Sequence, residues 1–323
     1  MSELQLHEGI VTDPLSMRLD LFARRRRLHA HRLWLRGLAA TRGHDEPPSR
    51  PLFVVGCPRS GTTLLFRLLR RHEVLGSPRG EGHVLWNTYH HPRRNGWSSD
   101  RVLASDIKPG ERRYLYTGIR RLAGGSRFLD KTPRNILKIP YLDSLFSDAT
   151  FILLKRDARA TVNSLIEGWT VRHGISYRLP QPLGLEEYRG HLWSYVLPPG
   201  WRDYAHSTLA EVAALQYVAC YEAALDDLVQ VPEHRVIELS FEQLLASPAD
   251  VMSRLLDTLG LGPSQAVMRM AGDLAAHPVQ ANTPPRPEKW RDRESQISRI
   301  MPIIAPTMER LGYNVGAGLT HSR

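Results

Sequence analysis

The stretch LFVVGCPRSGTTLLFRLLRR, residues 52–71, decides the fold. LFVVG (52–56) is a short continuous apolar run with β-branched residues, the pattern of a buried strand. A Gly/Pro/Ser turn follows, and then LLFRLLRR repeats its apolar residues at helical spacing. Strand, loop and helix in that order open an α/β unit. Gly56 and Gly61 stand five apart, the glycine spacing of a phosphate-binding loop, with Thr62 and Thr63 at the helix start. Glycines let backbone N–H groups turn inward on an anion, and the helix N-terminus adds partial positive charge. Arg59, Ser60, Gly61, Thr62 and Thr63 are therefore candidate phosphate-binding residues. In a nucleotide triphosphatase a lysine follows the second glycine; here Thr62 stands there, and Arg59 enters the loop instead. A compact ammonium suits a triphosphate with Mg²⁺, whereas a guanidinium fork grips a terminal oxyanion with two parallel hydrogen bonds.

Outward from this loop, residues 127–130 (RFLD), 150–154 (TFILL) and 235–239 (RVIEL) read as further buried strands. Helical patterns cover 157–168, 207–230 with Ser207 or Thr208 as N-cap, and 249–260 ending at Gly260. The alternation predicts an α/β fold, a parallel sheet with helices on both faces. Arg156 follows the strand at 150–154, where ligands collect in open α/β sheets. Ser164 lies about two helical turns further on, so an Arg fork and a hydroxyl bracket a second phosphate, as a 3′,5′-bisphosphorylated nucleotide requires. The alternative for Arg156 is an ion pair with Asp157 or Glu167. Residues 1–50 read as a helical extension (15–40) and a linker (41–51), and 51–323 as one domain with an aromatic-rich insertion at about 169–206. That insertion carries seven of the 25 aromatics. It reads either as a loop-rich lid over a bulky acceptor or as a segment stapled to the body.

PRSGTT after an apolar strand resembles the 5′-phosphosulfate loop of sulfotransferases that use 3′-phosphoadenosine 5′-phosphosulfate (PAPS), nearest to the tyrosylprotein sulfotransferases and their bacterial relatives. FILLKRDARATVNSL (151–165) resembles the family's 3′-phosphate site, and DKTPRN (130–135) the segment that brings a lysine to the reacting sulfate. SFEQLLASP (240–248) and EKW (288–290) resemble its late landmarks. The resemblance implies the P-loop sulfotransferase fold, PAPS as co-substrate and no metal. It implies Lys131 at the leaving oxygen, Glu81 as general base with His83 as competitor, and Lys289 near the adenosine. Two departures stand out: Phe241 replaces the family's tyrosine, and prolines crowd NTPPRPEKW (282–290), where Arg286 or Arg291 are substitutes for Lys289.

The chain has 323 residues and a formal net charge of +10. Residues 51–138 hold seventeen Lys/Arg against six Asp/Glu, while 139–323 hold seventeen against twenty-one. This clustering points to an anionic partner. Only five basic residues are lysines, so Lys131 invites a reason. No apolar run reaches the roughly 18–20 residues of a membrane span, and the N-terminal residues lack a signal-peptide layout. Two cysteines fit no metal spacing. The expectation is a cytoplasmic enzyme moving a sulfuryl group to a small-molecule hydroxyl acceptor that is aromatic, apolar or acidic, with no nucleic acid partner. The alternatives are a P-loop kinase using ATP and magnesium, and a nucleic-acid-binding protein that uses the basic helix at 15–40.

Overall fold

Helix α1 (Leu15–Arg42) precedes β1 (Leu52–Val55), α2 (Thr62–Leu69) and the short β2 (Leu75–Gly76) in the computed structural model, which describes residues 15–169, 174–276 and 288–315. Next come α3 (His83–His90), α4 (Glu111–Ala123), β3 (Arg127–Asp130), α5 (Ile139–Leu145), β4 (Thr150–Lys155) and α6 (Ala158–Trp169). A hairpin of β5 (Ile175–Gly184) and β6 (Arg189–Ser194) leads to α7 (Leu209–Leu228) and β7 (Val236–Ser240). Helices α8 (Phe241–Ala246), α9 (Pro248–Thr258), α10 (Gln265–Ala276) and α11 (Glu294–Arg310) follow. Arg286 and most of the proline-rich stretch lie outside the described residues.

Five strands form one parallel sheet in the order β2-β3-β1-β4-β7. The period of two along β1 sends Phe53 and Val55 to one face and Leu52 and Val54 to the other. The first face packs under α3 to α7 and α11, the second under α2, α8, α9 and α10. Buried on both faces, β1 reads as a continuous apolar run without alternation. Strand order reverses at β1, with β3 on one side and β4 on the other, and such a switch point opens a crevice at the C-terminal strand ends. Gly56, Lys131, Arg156 and Phe241 all follow such strand ends, so one rim collects them.

The insertion is not loop-rich. It folds as an antiparallel hairpin, and Trp169, Tyr177, Tyr188, Trp193 and Trp201 are buried in the larger core. Trp193 stands edge-on to both Trp169 and Trp201, at 5.4 Å from each. Its aromatics staple the hairpin to the body. Helix α1 also returns to the body, with Leu21 and Leu35 buried in that same core.

Candidate functional site

The phosphate loop is shaped by two residues in the left-handed region, Arg59 (φ 71°) and Gly61 (φ 96°). Gly61 caps α2, and a Cβ there would come within 2.2 Å of the Phe241 ring, so only glycine fits. The Ser60 N–H closes the turn on the Cys57 carbonyl at 3.1 Å.

Strand β4 delivers Arg156 beside this loop. Its Nη1 donates to the Arg59 carbonyl at 2.8 Å, and its guanidinium lies 4.6 Å from the centroid of the Phe241 ring. The Arg59 side chain reaches the other way, Nε donating to Ser164 Oγ at 3.1 Å. Arg59, Arg156 and Ser164 thus form one cluster across the loop and α6. Phe241 has no hydroxyl to offer and serves as the apolar floor between Gly61 and Arg156. Two tyrosines of α7 hold the end of β4: Tyr221 donates to the Leu154 carbonyl at 2.9 Å and Tyr217 to the Arg156 carbonyl at 3.1 Å. Neither Asp157 nor Glu167 takes Arg156. Asp157 caps α6 through the Arg159 and Ala160 N–H groups and pairs with the Arg159 guanidinium at 2.6 Å. Glu167 pairs with Lys289 at 2.8 Å, and Trp290 lies between the guanidiniums of Arg159 and Arg291. Arg291 itself pairs with Glu288 and Glu294.

The third part of the rim comes from β3 and the segment before α3. Lys131 is buried, and its Nζ donates to Glu81 Oε1 at 2.7 Å. His83 Nε2 stands 2.8 Å from the other Glu81 oxygen. Burial works to raise the Glu81 pKa, but the hydrogen bond from His83 and the charge and hydrogen bond of Lys131 outweigh it and hold the carboxyl below its usual range. Burial and the Arg134 guanidinium lower the His83 pKa, so the ring is neutral at pH 7. Arg134 Nη2 stands 3.0 Å from Nε2 and 3.2 Å from Nδ1; with Nε2–H assigned as the donor to Glu81, Nδ1 is the nitrogen that accepts from Arg134. Asp130 ties the two segments together. It accepts from Trp86 Nε1 at 3.2 Å, Asn135 Nδ2 at 2.9 Å and Thr132 Oγ1 at 3.1 Å, while Thr132 Oγ1 accepts from the Gly82 N–H at 2.8 Å. Burial pushes the Asp130 pKa up to about 6.

Two residues of this network, Tyr177 and Asp100, carry no site signal in the sequence, and the third, Arg134, lies in the DKTPRN segment without being singled out by it. Arg134 is buried and donates to the Tyr177 oxygen, and Tyr177 in turn donates to buried Asp100, whose second oxygen accepts from the Leu197 N–H at 2.7 Å. Outside this network, Tyr195 sits at φ 62° and turns a buried hydroxyl, without a hydrogen-bond partner among the described residues, against Gly168.

One cavity of about 1500 Å³ takes in Arg59, Thr62, Thr63, Glu81, Arg156 and Ser164, with Lys289 also in its wall. No cluster of metal-ligating side chains occurs among the described residues, and none of their helices is long and apolar enough to cross a membrane.

The model of the Sulfotransferase family matches residues 51–195. Nodulation protein NoeE of Sinorhizobium fredii is 28% identical over 236 residues, 67% of this chain and 51% of its own length, so the chain spans about half of that relative. Protein-tyrosine sulfotransferase 1 of Danio rerio is 27% identical over 290 residues, 81% of this chain and 72% of that one. The crystal structure of sulfotransferase STF9 from Mycobacterium avium shares the fold, with a TM-score of 0.59 at 17% identity over 90% of this chain and 83% of that one. The sheet order, the loop with arginine in place of lysine and these likenesses agree: the chain has the sulfotransferase fold, and its residues 51–195 match the sulfotransferase family.

Proposed function

We propose that the protein moves a sulfuryl group from PAPS to a hydroxyl of a small-molecule acceptor. The observation that carries this reading is the union in one cavity of Arg59, Arg156 and Ser164 with the Glu81 carboxylate, which buried Lys131 holds from behind the cavity wall. In this reading the loop N–H groups and Arg59 hold the 5′-phosphosulfate, Arg156 and Ser164 take the 3′-phosphate, and Lys289 borders the adenosine. The Arg59–Ser164 and Arg156–Arg59 hydrogen bonds hold those groups in place until the phosphates take them over. A kinase reading has no support, since Thr62 stands where the triphosphate lysine belongs.

Glu81 is the general base. Despite its burial it is ionised but weak, because the hydrogen bond from His83 and then the Lys131 ammonium stabilise the charged form. As the bond to sulfur breaks, negative charge grows on the leaving phosphate oxygen and draws Lys131 to it. The carboxylate then loses a cation and gains basicity as the acceptor hydroxyl gives up its proton. His83 keeps the second oxygen of Glu81 in place, and burial together with Arg134 keeps His83 neutral. Sulfate carries less charge than a phosphoryl group, so these cations suffice without a metal.

Turnover of PAPS to 3′-phosphoadenosine 5′-phosphate (PAP) against a panel of alcohols and phenols tests the assignment. Glu81→Gln should lower the rate by about 10²–10⁴-fold and leave PAP affinity unchanged. Full activity in that variant would move the base to His83.

A further inference from the structure

The cavity has a second end that the nucleotide does not need. Helix α1 lays Leu21, Arg25, Leu28 and Arg32 along it, four residues at i, i+4, i+7 and i+11 and so on one face about 16 Å long. Opposite stand Arg93, Arg94 and Trp97 after α3, Arg178, Leu179 and Pro180 of β5, and Arg134 below. Of the carboxylates lining the cavity among the described residues, Glu81 is held by Lys131 and His83, while Glu167 and Glu288 pair with Lys289 and Arg291 at the other end.

These cations act on one another. Burial and then the charges of Arg93 and Arg178 lower the Arg25 pKa, which sets α1, the segment after α3 and β5 around one space. Arg32 is lowered by burial and by Arg94 and Arg36, with Tyr114 opposing. Its Nε is buried and has no hydrogen-bond partner among the described residues. A buried N–H of a charged group without an acceptor is costly, and an arriving oxyanion would satisfy it. Trp97, Leu21, Leu28 and Leu179 supply apolar wall between the arginines.

We propose that the acceptor is an anionic amphiphile: a small molecule that offers its hydroxyl to Glu81, lays an apolar body along Leu21, Leu28 and Trp97, and ends in an oxyanion gripped by Arg32 and Arg178. This rests on the sulfuryl-transfer reading and names its substrate class. It also gives α1 a task, as the wall that selects the acceptor.

The test uses the full chain saturated with PAP and two fluorescent probes of one shape, anionic 8-anilinonaphthalene-1-sulfonate and neutral N-phenyl-1-naphthylamine. The anionic probe should bind at least tenfold tighter at low salt, and Arg32→Gln/Arg178→Gln should erase the difference while PAP affinity and the circular dichroism spectrum stay as in the parent. Hexanoate and hexyl phosphate should displace the probe, the tighter of them naming the oxyanion, and hexanol should not. Equal affinity for the two probes, no binding of the anionic probe, a preference that survives in the double variant, or displacement by hexanol would overturn the proposal. A chain that fails to bind PAP but keeps the probe preference would instead overturn the nucleotide reading alone.

Discussion

Tyr177 is the residue on which the reacting end turns. Its oxygen accepts from Arg134 and its proton goes to Asp100, so one hydroxyl fixes the guanidinium that, after burial, lowers the His83 pKa. Removing it leaves two buried polar groups short of a partner, at a cost of about 1–3 kcal/mol. Tyr177→Phe should lower the melting temperature, leave PAP affinity intact and shift the acid limb of the pH–rate profile upward. The sign follows from Arg134: with its charge less firmly placed, the His83 pKa returns towards 6.5. An unmoved acid limb in thermal-shift-verified protein would show that Arg134 does not govern the histidine. Arg59 and Arg156 were legible in the sequence because a local motif or a strand end carries each. Tyr177 and Asp100 were not, since 77 residues separate them and only the fold brings them together.

At the scale of elements, the strand-loop-helix unit owes its shape to Gly61. Gly61→Ala places a Cβ at a left-handed φ, which costs roughly 1–2 kcal/mol, and drives it into Phe241. PAP affinity should fall at least tenfold with secondary structure retained, and an unchanged affinity would place the anion elsewhere. The runs that became β1 and β4 were readable because burial on both faces leaves continuous apolar sequence. The run at 235–239 does form β7, but as an edge strand that is half-buried to exposed and not the buried strand expected. The hairpin was not. Pro180 and Pro182 sit in β5 and read as loop, and the ladder accommodates them at the register shift between Arg178 and Leu183. Nor was α4, where ERRYLYTGIRRLA looks like a solvated arginine surface although its other face is buried.

Across the whole molecule, the basic block of residues 51–138 is partly turned inward. Lys131, Arg134 and Lys138 are buried, and the cavity gathers further arginines from α1 and β5. His91 is the group most exposed to this field. Burial, then Arg134, Arg32, Arg25 and Lys138, push its pKa down to about 3, and its Nδ1 accepts from the Arg93 N–H at 3.1 Å. An unfolded histidine titrates near 6.5. Between these values the unfolded chain binds a proton that the fold refuses, so this contribution to stability is present above about pH 6.5 and is lost as pH falls towards 3. The drop in melting temperature from pH 7 to pH 4 should be smaller in His91→Gln than in the parent, and equal drops would contradict the assignment. Sequence alone did not show α1 as a cavity wall, because its Leu21, Leu28 and Leu35 repeat says only that one face is covered, not by what.

The central claim is that this loop and Arg156 hold a 3′,5′-bisphosphorylated nucleotide and not a triphosphate, and one magnesium-free calorimetric titration tests it most directly. PAP should bind at least tenfold more tightly than ADP, a difference of about 1.4 kcal/mol, and Arg156→Ala should erase the preference. Equal affinity of the parent chain for PAP and ADP would contradict it.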